Sequence, residues 1–485
     1  MKLLYDNKPI IACSTGTTSN TAIALIRMSG FGSLEELQQF FSFDLGRVRP
    51  RYSHLTNVLS SGVVLDNALL VFFPNGSSFT GENVIELSIH GNQLNIQRII
   101  DLFIRNSDFR HAEPGEFSFR ALKNKKLSLS QVEGLDLLLN ASSNLMLSQG
   151  LDVLQGDLHS QYVNLYDSFL KLKATLELAI DFSEDVGEDE VKDLFNKGFD
   201  DFFSRVKSLH ARTQGNIASL LNPEVVLFGQ TNAGKSSLFN ILLQHDRSIV
   251  SNIAGTTRDY VSEYFFVDGT SYNLIDTAGV RESSDPIEQV GITRALSKVE
   301  KSFFKILLIN PFEFNPESIS VFEKFQFDLL IFTHAKSPDF AKKLSTFDMR
   351  SISADFSLMV DMSDGSIGPS VLNGPMGPKI KSMTGSIGPD LFSSGSIEPV
   401  VKHFITKKFQ LISDKSPILL ERHRHCLNSI YSLTFAFSLN IKELDDVAII
   451  SSEINLIGHH LSELIGIVTP DDVLNSIFAN FCIGK

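Results

Sequence analysis

The chain has 485 residues, a length that favours two to four folded domains. Of these residues 43% are hydrophobic and 20% charged, a composition that excludes a disordered protein. Its net charge of −13 argues against nucleic-acid binding driven by overall charge, although a local basic patch or a bridging partner can still recruit RNA. Three widely spaced cysteines, with neither a signal peptide nor a membrane-length apolar run, predict a cytoplasmic protein without membrane spans.

Residues 1–122 predict a compact N-terminal α+β domain. Apolar segments typical of strands lie at 10–13, 21–28, 68–73 and 84–90, and a segment with helical spacing lies at 94–104. Arg27, Glu86 and His90 are candidate polar groups of a small-ligand cleft, although a solvated surface is the commoner place for each of them.

Residues 123–221 predict a first helical block. Ser128 and Gln131 can form a capping box, and leucines then recur at helical spacing as far as Leu176. After an acidic break at 182–190 the helical pattern resumes, and Asn222-Pro223 marks a boundary. We expect a long helix or a helical hairpin with a leucine core.

Residues 224–243 predict a phosphate-binding loop between a strand and a helix. An apolar run at 224–228 precedes the motif G-x-x-x-x-G-K-S at 229–236, and helical spacing follows it. Backbone N–H groups of such a loop and the helix N-terminus surround phosphate oxygens. Lys235 would reach the β- and γ-phosphates, and Ser236 would hold Mg²⁺.

Two further motifs follow in the order and spacing of a GTPase. The loop G-T-T-R-D at 255–259 offers a threonine hydroxyl that can complete Mg²⁺ coordination. A strand then ends in D-T-A-G, where Asp276 would hold the metal through water and Gly279 would let the backbone approach the γ-phosphate. The three motifs together indicate a Ras-like α/β GTPase domain of the translation-factor class.

Guanine recognition departs from the expected pattern. The strand at 327–332 should lead into N-K-x-D, but the chain reads Thr333-His-Ala-Lys336, and a lysine cannot accept the guanine N–H groups. Asp339 can substitute only if the loop is remodelled. Ser353 and Ala354 are expected to supply a base-contact loop. We expect a preference for guanine, although the residues at 333–336 do not specify it.

Hydrolysis requires a group that positions water and a positive charge near the transferred phosphate. Val280 follows D-T-A-G in the place of a glutamine, so the acids Glu282, Asp285 and Glu288 are the alternatives. The Asn232 carbonyl and backbone oxygens of residues 251–256 can cage a monovalent cation in place of an arginine finger.

Residues 361–400 read as a low-complexity insertion in the nucleotide domain (222–405). A decaying repeat, G-S-I-G-P then G-S-I-E-P, recurs at 365–369, 385–389 and 395–399, and its composition predicts a disordered or loosely ordered segment without catalytic duty. Helical spacing returns in residues 406–485, with a helix start at Thr469-Pro-Asp-Asp472. The fold expected is α/β plus all-α, with the nucleotide domain inserted into a discontinuous helical domain.

These residues resemble the MnmE (TrmE) family of tRNA-modification GTPases. The resemblance rests on G-Q-T-N-A-G-K-S-S, I-A-G-T-T-R-D, D-T-A-G-V-R-E and the terminal F-C-I-G-K, and it extends to segments 24–30, 78–87, 114–121 and 422–425. It covers nearly the whole chain except the repeat insertion.

The resemblance implies an N-terminal, dimerising, tetrahydrofolate-binding domain, a discontinuous helical domain and an inserted G domain. It implies a homodimer that acts on tRNA with the FAD-dependent partner MnmG (GidA) and adds an aminomethyl-type group at C5 of the wobble uridine. The implied cofactors are Mg²⁺, K⁺ and a 5,10-methylene- or 5-formyl-tetrahydrofolate, with GTP as substrate.

The resemblance also implies roles for individual residues. It places the folate derivative on Arg27, Glu86, Lys126 and Lys485, and Mg²⁺ on Ser236 and Thr257. It places potassium on Asn232, Ser251, Ile253 and Thr256, and it favours Glu288 as the catalytic glutamate. With the motifs, it gives these nucleotide-binding residues: Asn232, Ala233, Gly234, Lys235, Ser236, Ser237, Ser251, Asn252, Ile253, Ala254, Gly255, Thr256, Thr257, Asp276, Thr277, Ala278, Gly279, Ser353 and Ala354.

Three alternatives stay open. Cys482 can act as a nucleophile near a one-carbon donor or can simply pack between its apolar neighbours. The broken guanine motif leaves room for a folate- and tRNA-binding scaffold with weakened nucleotide specificity. A ribosome-assembly GTPase shares the phosphate loop but gives no account of the folate-site residues or of F-C-I-G-K.

Overall fold

A computed structural model describes residues 6–16, 20–181, 188–214, 218–243, 261–277, 296–315, 319–344, 346, 351–367, 379–380, 395–414, 417–440, 447–467, 474, 477–478, 481 and 484. The chain divides into two compact units. The first contains Met1–Asn140, Ser148–Ser208 and His425–Lys485, and the second contains Ala141–Leu147 and Leu209–Arg424.

The elements are named here in chain order. The strands are β1 (Ile10–Cys13), β2 (Ile23–Ser29), β3 (Ser53–Ser60), β4 (Val63–Phe73), β5 (Val84–His90), β6 (Arg110–His111), β7 (Glu224–Gly229), β8 (Val261–Val267), β9 (Thr270–Asp276), β10 (Phe304–Ile309), β11 (Gln326–Phe332), β12 (Ser353–Asp361), β13 (Ser366–Ile367) and β14 (Lys379–Ile380). The helices are α1 (Gln93–Asn106), α2 (Glu116–Lys123), α3 (Leu129–Leu139), α4 (Asn144–Gln155), α5 (Asp157–Asp181), α6 (Glu188–Ala211), α7 (Ala218–Leu221), α8 (Lys235–Leu243), α9 (Ile319–Phe322), α10 (Phe340–Leu344), α11 (Ile397–Ser413), α12 (Glu421–Asn440) and α13 (Val447–Ile465).

The sheet of the first unit has two chemically different faces. Its described strands lie in the order β3-β4-β5-β2-β1-β6, and neighbours are antiparallel except β1 and β6. Because side chains alternate along β2, Ala24, Ile26 and Met28 enter a core that helix α1 also lines, while Arg27 points to the other face. The strands predicted at 10–13 and 84–90 are confirmed residue for residue.

The first helical block is more divided than the leucine pattern predicts. The capping box of Ser128 and Gln131 is confirmed at the start of α3. Three helices, α3 to α5, then replace the single helix or hairpin expected, because the chain turns at residues 140–143 and at Gly156. Gly156 has a φ of +96°, a left-handed conformation that commonly ends a helix. The Phe169 ring of α5 packs directly on Gly458 of α13, where a Cβ would lie 2.7 Å from the ring.

The sheet of the second unit places several loops at one edge. Its described strands lie in the order β13-β12-β11-β10-β7-β9-β8, with β14 also paired to β12. Strands β12, β11, β10, β7 and β9 are mutually parallel, so the loops that follow them share the edge formed by the carboxyl ends of the strands. In open α/β sheets this edge is where ligands bind.

The low-complexity segment is ordered at both of its ends. The first and third copies of the G-S-I repeat pair with each other, since Ile367 N–H donates to Gly395 O at 3.1 Å and Ile397 N–H donates to Gly365 O at 2.9 Å. We call this pairing of 365–367 with 395–397 the repeat clasp. The expectation of disorder is therefore wrong for 361–367 and 395–400, because backbone pairing requires no apolar side chains. Residues 368–378 and 381–394 lie outside the described residues.

The C-terminal region contains the predicted helices α12 and α13. The predicted helix start at Thr469–Asp472 lies outside the described residues. Among the described helices, none has the length and apolarity that a membrane span requires.

Candidate functional site

The loop after β7 is tightly wound around the Lys235 ammonium group, as expected of a phosphate-binding loop. Gly229 has a φ of +147°, and a Cβ there would lie 2.4 Å from the Leu308 carbonyl oxygen. Gly234 has a φ of +94°, which also favours glycine. Lys235 is 8% exposed, and its Nζ donates to the carbonyl oxygens of Gly229 at 3.1 Å and Gln230 at 2.8 Å. The ammonium group is thereby held inside the loop, where burial lowers the pKa of Lys235 and the charge of Asp276 opposes the shift.

Two oxygen ligands suited to Mg²⁺ meet beside this loop. Parallel pairing of β7 and β9 brings Asp276 next to the start of α8, and Ser236 Oγ donates to Asp276 Oδ2 at 2.8 Å. The other oxygen, Oδ1, is buried without a hydrogen-bond partner among the described residues. Burial raises the pKa of Asp276, against the Ser236 hydrogen bond and the Lys235 charge. A hydroxyl and an orphaned carboxylate oxygen fit a hard divalent cation.

The neighbouring predicted residues have different surroundings. Ala233 is buried, whereas Ser237 is exposed on α8. Thr277 is 1% exposed, and its hydroxyl donates to the Leu227 carbonyl at 2.8 Å, so this side chain fixes the end of β9.

Asn232 has a partner that the sequence does not reveal. Its φ is +58°, and its side-chain Nδ2 donates to Glu313 Oε2 at 2.8 Å. Its backbone carbonyl oxygen accepts a hydrogen bond from Asn310 Nδ2 at 3.3 Å. Because Glu313 holds the amide nitrogen, the amide oxygen of Asn232 points away from that carboxylate. An amide oxygen in this position can ligate a monovalent cation.

The loop after β11 carries the residues that replace the guanine motif. Thr333 is fully buried, and its N–H donates to the Ile309 carbonyl at 2.9 Å. A Cβ on Gly234 would lie 3.2 Å from Thr333 Cγ2 and 3.3 Å from Met362 Cγ, so the loops after β11 and β12 both abut the phosphate loop. The Lys336 ammonium forms an ion pair with Asp364 in the loop after β12. Asp339 precedes α10.

Ser353 and Ala354 do not lie in the predicted place. They begin β12 and pair with Gln326 and Phe327, which begin β11. Because these strands are parallel to β7, both residues lie at the edge opposite the phosphate loop. Their expected role in base contact does not fit this position, and the loop at 362–364 occupies the base-side edge instead.

The first unit brings Arg27 and Glu86 together on the face of the sheet opposite helix α1. The two residues are paired across β2 and β5, and their side chains form an ion pair at 2.8 Å with about a fifth to a quarter of each exposed. The guanidinium lies 5.7 Å from the ring centres of both Phe79 and Phe117. A partly exposed ion pair beside aromatic rings fits a flat heterocyclic ligand with polar edges.

The C-terminal motif reaches the same place. Gly484 is buried, and its carbonyl oxygen accepts Ser14 Oγ at 2.9 Å and Arg27 Nη1 at 3.4 Å. Phe478 and Phe481 lie against Gly115, where a Cβ would be 2.9 Å from the Phe478 ring and 3.1 Å from Phe481 Cβ. Gly484 of the F-C-I-G-K motif thus lies beside Arg27.

Two further described candidates in this unit, Lys126 and His90, have partners other than Arg27 and Glu86. Lys126 Nζ donates to the Gly76 carbonyl at 3.0 Å. His90 ends β5 and pairs with Asp66 at 2.6 Å, so the cleft role considered for it gains no support.

Several predicted residues lie outside the described residues. They are Ser251, Asn252, Ile253, Ala254, Gly255, Thr256, Thr257, Ala278, Gly279, Glu282, Asp285, Glu288, Cys482 and Lys485.

The sequence interpretation missed Ser14, Glu313 and Asp364. For Asp364 the sequence does contain a signal. Residues 353–361 alternate as in a strand, so the loop at the carboxyl end of that strand, which contains Asp364, should face the phosphate loop. For Ser14 and Glu313 the sequence has no local signal, because their partners are hundreds or tens of residues away.

Comparison with known proteins gives a consistent result. A family model described as GTP-binding protein TrmE N-terminus matches residues 9–126, and one described as 50S ribosome-binding GTPase matches residues 224–333. A tRNA modification GTPase MnmE from Saccharophagus degradans is 31% identical and covers 99% of both chains. One from a Wolbachia of Brugia malayi is 31% identical over 100% of both chains, and one from Aquifex aeolicus is 30% identical over 99% of this chain and 100% of its own.

Proposed function

The chain belongs to the MnmE family of tRNA modification GTPases and is a GTP-hydrolysing enzyme, and on this premise we propose that potassium-stimulated GTP hydrolysis serves modification of the wobble uridine of tRNA at C5. The modification adds a (carboxymethyl)aminomethyl group together with the FAD-dependent partner MnmG. A ribosome-assembly role is less well supported, because similarity to tRNA modification GTPases extends over the whole chain.

The Ser236–Asp276 contact beside Lys235 is the observation that carries the hydrolytic proposal. Lys235, once released from the carbonyls of Gly229 and Gln230, would bind the β- and γ-phosphates of GTP. Mg²⁺, when bound, supplies positive charge to these phosphates, and Ser236 and Thr257 would ligate it with Asp276 acting through water. The backbone N–H groups of residues 233–237, at the start of α8, would add uncharged hydrogen-bond donors to the phosphate oxygens.

Glu288 is the proposed group that positions the attacking water. We expect Glu288→Ala to lower the rate of GTP hydrolysis by at least about a hundredfold and to leave GTP affinity unchanged, as for loss of a general base. Glu282→Ala is the matched control, since it removes a carboxylate only six residues earlier in the chain. Turnover and nucleotide titration measure both quantities. Persistent hydrolysis in Glu288→Ala would assign the water to another group.

Potassium is proposed to lie against the Asn232 amide oxygen, with Ser251, Ile253 and Thr256 as its other ligands. The support is the hydrogen bond from Asn232 to Glu313, which directs the oxygen away from the carboxylate. Turnover in KCl compared with NaCl tests the proposal. Equal rates in the two salts would refute it.

A tetrahydrofolate derivative, 5,10-methylene or 5-formyl, is proposed as the ligand of Arg27 and Glu86, with Lys126 and Lys485. The support is the partly exposed ion pair, with Arg27 near two phenylalanine rings, and the position of Gly484 beside it. Glu86 can accept hydrogen bonds from a ring amino group, and the lysines can bind carboxylates of the ligand.

The family also suggests an assembly. We propose a cytoplasmic homodimer that binds MnmG and tRNA, with domain limits at 1–122, 123–221, 222–405 and 406–485 and the G domain inserted between the two helical segments. The limit at 405 falls inside helix α11, which spans Ile397–Ser413. Mass measurement in solution, with and without MnmG, tests the assembly.

A second candidate is a folate- and tRNA-binding scaffold with weakened nucleotide specificity. The ion pair of Lys336 with Asp364, in place of an aspartate facing the base, is the observation that favours it. Titration with labelled GTP, GDP and ATP separates the candidates. Absence of binding at about millimolar nucleotide would favour the scaffold, since such affinity corresponds to only about 4 kcal/mol.

A further inference from the structure

The order of the strands fixes the direction in which the nucleoside leaves the phosphate loop. Ser236 and Asp276, the proposed metal ligands, lie on the β9 side of β7. The metal marks the γ-phosphate end of the nucleotide. The nucleoside therefore extends to the other side, over the carboxyl ends of β10, β11 and β12.

The loops after β11 and β12 form the far end of this edge. Both contact the phosphate loop, through Thr333 and Met362. They are also joined to each other, because Ala335 N–H donates to the Val360 carbonyl at 3.2 Å and Lys336 pairs with Asp364. A base that extends from the phosphate loop along this edge meets these two loops.

The charge arrangement here is the reverse of the one expected. An aspartate is expected at position 336 to accept the N1–H and N2–H groups of guanine, and Lys336 has no acceptor. Its ammonium nevertheless brings a carboxylate to the same place, that of Asp364. The side chains of Lys336 and Asp364 are 58% and 50% exposed, so a ligand can reach both.

We propose that Asp364 reads the guanine base in this protein and that Lys336 holds its carboxylate in position. The proposal rests on the GTP hydrolysis described above. A carboxylate has about four lone-pair sites. Asp364 accepts from Lys336, from the Ser366 N–H at 3.0 Å and from the Ser366 side chain, and because half of its side chain is exposed a guanine donor can still reach the carboxylate.

Two observations distinguish Asp364 from its neighbour Asp361. One oxygen of Asp361 accepts the N–H of Ser363 at 3.0 Å and its hydroxyl at 2.5 Å, much as Asp364 accepts from Ser366, but the Lys336 ammonium pairs with Asp364. Asp364, in contrast, directly precedes the repeat clasp, where Gly365 O accepts the Ile397 N–H. The clasp holds the Asp364 backbone while its side chain stays accessible.

Asp364→Asn gives a test that changes selectivity instead of only weakening binding. Xanthine has a carbonyl where guanine has its 2-amino group, and an asparagine amide can donate to that carbonyl. We expect the full-length variant to bind labelled GTP about tenfold to a hundredfold more weakly than wild type, as for loss of hydrogen bonds to a charged group, and to bind xanthosine triphosphate more tightly. Titrations in Mg²⁺ and KCl with GTP, xanthosine triphosphate and ATP measure this selectivity.

Asp339→Asn is the matched control and should keep the wild-type selectivity. Lys336→Ala should weaken GTP binding less than Asp364→Asn and should keep the preference for GTP over ATP, because the carboxylate remains. Unchanged affinities for GTP and xanthosine triphosphate in Asp364→Asn would overturn the proposal. So would a loss of the preference for GTP in Lys336→Ala when Asp364→Asn keeps it. Lack of GTP binding by wild type would instead refute the hydrolytic function, and the inference with it.

Discussion

Alanine at Gly484 should release the C-terminal motif from the Arg27 site. Gly484 has a φ of +95°, and a Cβ there would lie 2.7 Å from the Cys13 carbonyl oxygen and 2.9 Å from Ser14 Cα. Both of these are backbone atoms, so the chain end must move. Its carbonyl then loses the hydrogen bonds from Ser14 and Arg27. At about 1 kcal/mol for each bond, docking weakens by about 2 kcal/mol, or about 30-fold.

The assay is calorimetric titration of 5-formyltetrahydrofolate into wild type and the variant. If the docked tail completes the folate site, the dissociation constant should rise by up to about 30-fold, because only the docked fraction is competent to bind. Gly62→Ala is the matched control, since Gly62 has a φ of +83° but nothing within 4 Å of a Cβ. It carries the same backbone strain of about 1–2 kcal/mol without the contact. Wild-type folate affinity in Gly484→Ala would refute the reasoning.

Three further predictions concern the phosphate loop, acid stability and potassium. Gly229→Ala should lower the melting temperature and abolish GTP binding, because its Cβ would lie 2.4 Å from the Leu308 carbonyl; normal GTP binding would contradict this. Burial raises the pKa of Glu116, but hydrogen bonds from two arginines outweigh it and hold the pKa below 4.5. The ionised Glu116 carboxylate therefore stabilises the fold above pH 4.5, and this stabilisation is lost as pH falls through the lower folded pKa. Glu116→Gln should thus weaken the pH dependence of the unfolding free energy below about pH 5. An unchanged pH dependence would contradict this. Glu313→Ala should reduce the ratio of GTPase rates in KCl and NaCl by freeing the Asn232 amide, and an unchanged ratio would exclude that positioning role.

Local sequence patterns predicted the elements that hold each site. Residues 84–90 alternate and form β5 with the predicted limits, and the capping box at Ser128 is present. Ser236 and Asp276, which belong to two separate motifs, lie in contact because a strand–loop–helix unit and a parallel neighbouring strand determine their positions. These features depend on side-chain periodicity and turn chemistry close in the chain.

Contacts between distant segments were not predictable in this way. Gly484 lies beside Arg27 although 457 residues separate them, and no local pattern reports that pairing. The Ser353-Ala354 dipeptide predicts a base contact, but the direction of β12 puts Ser353 at the opposite edge of the sheet. The repeat clasp was missed because composition reports side-chain burial and not backbone hydrogen bonding.

Nucleoside analysis of tRNA tests the central proposal most directly. Total tRNA from cells that lack this protein should lose the C5-modified wobble uridine, as measured by mass spectrometry of digested nucleosides. Expression of the wild-type chain should restore it, whereas Glu288→Ala should not. Unchanged modified uridine in cells lacking the protein would contradict the proposed function.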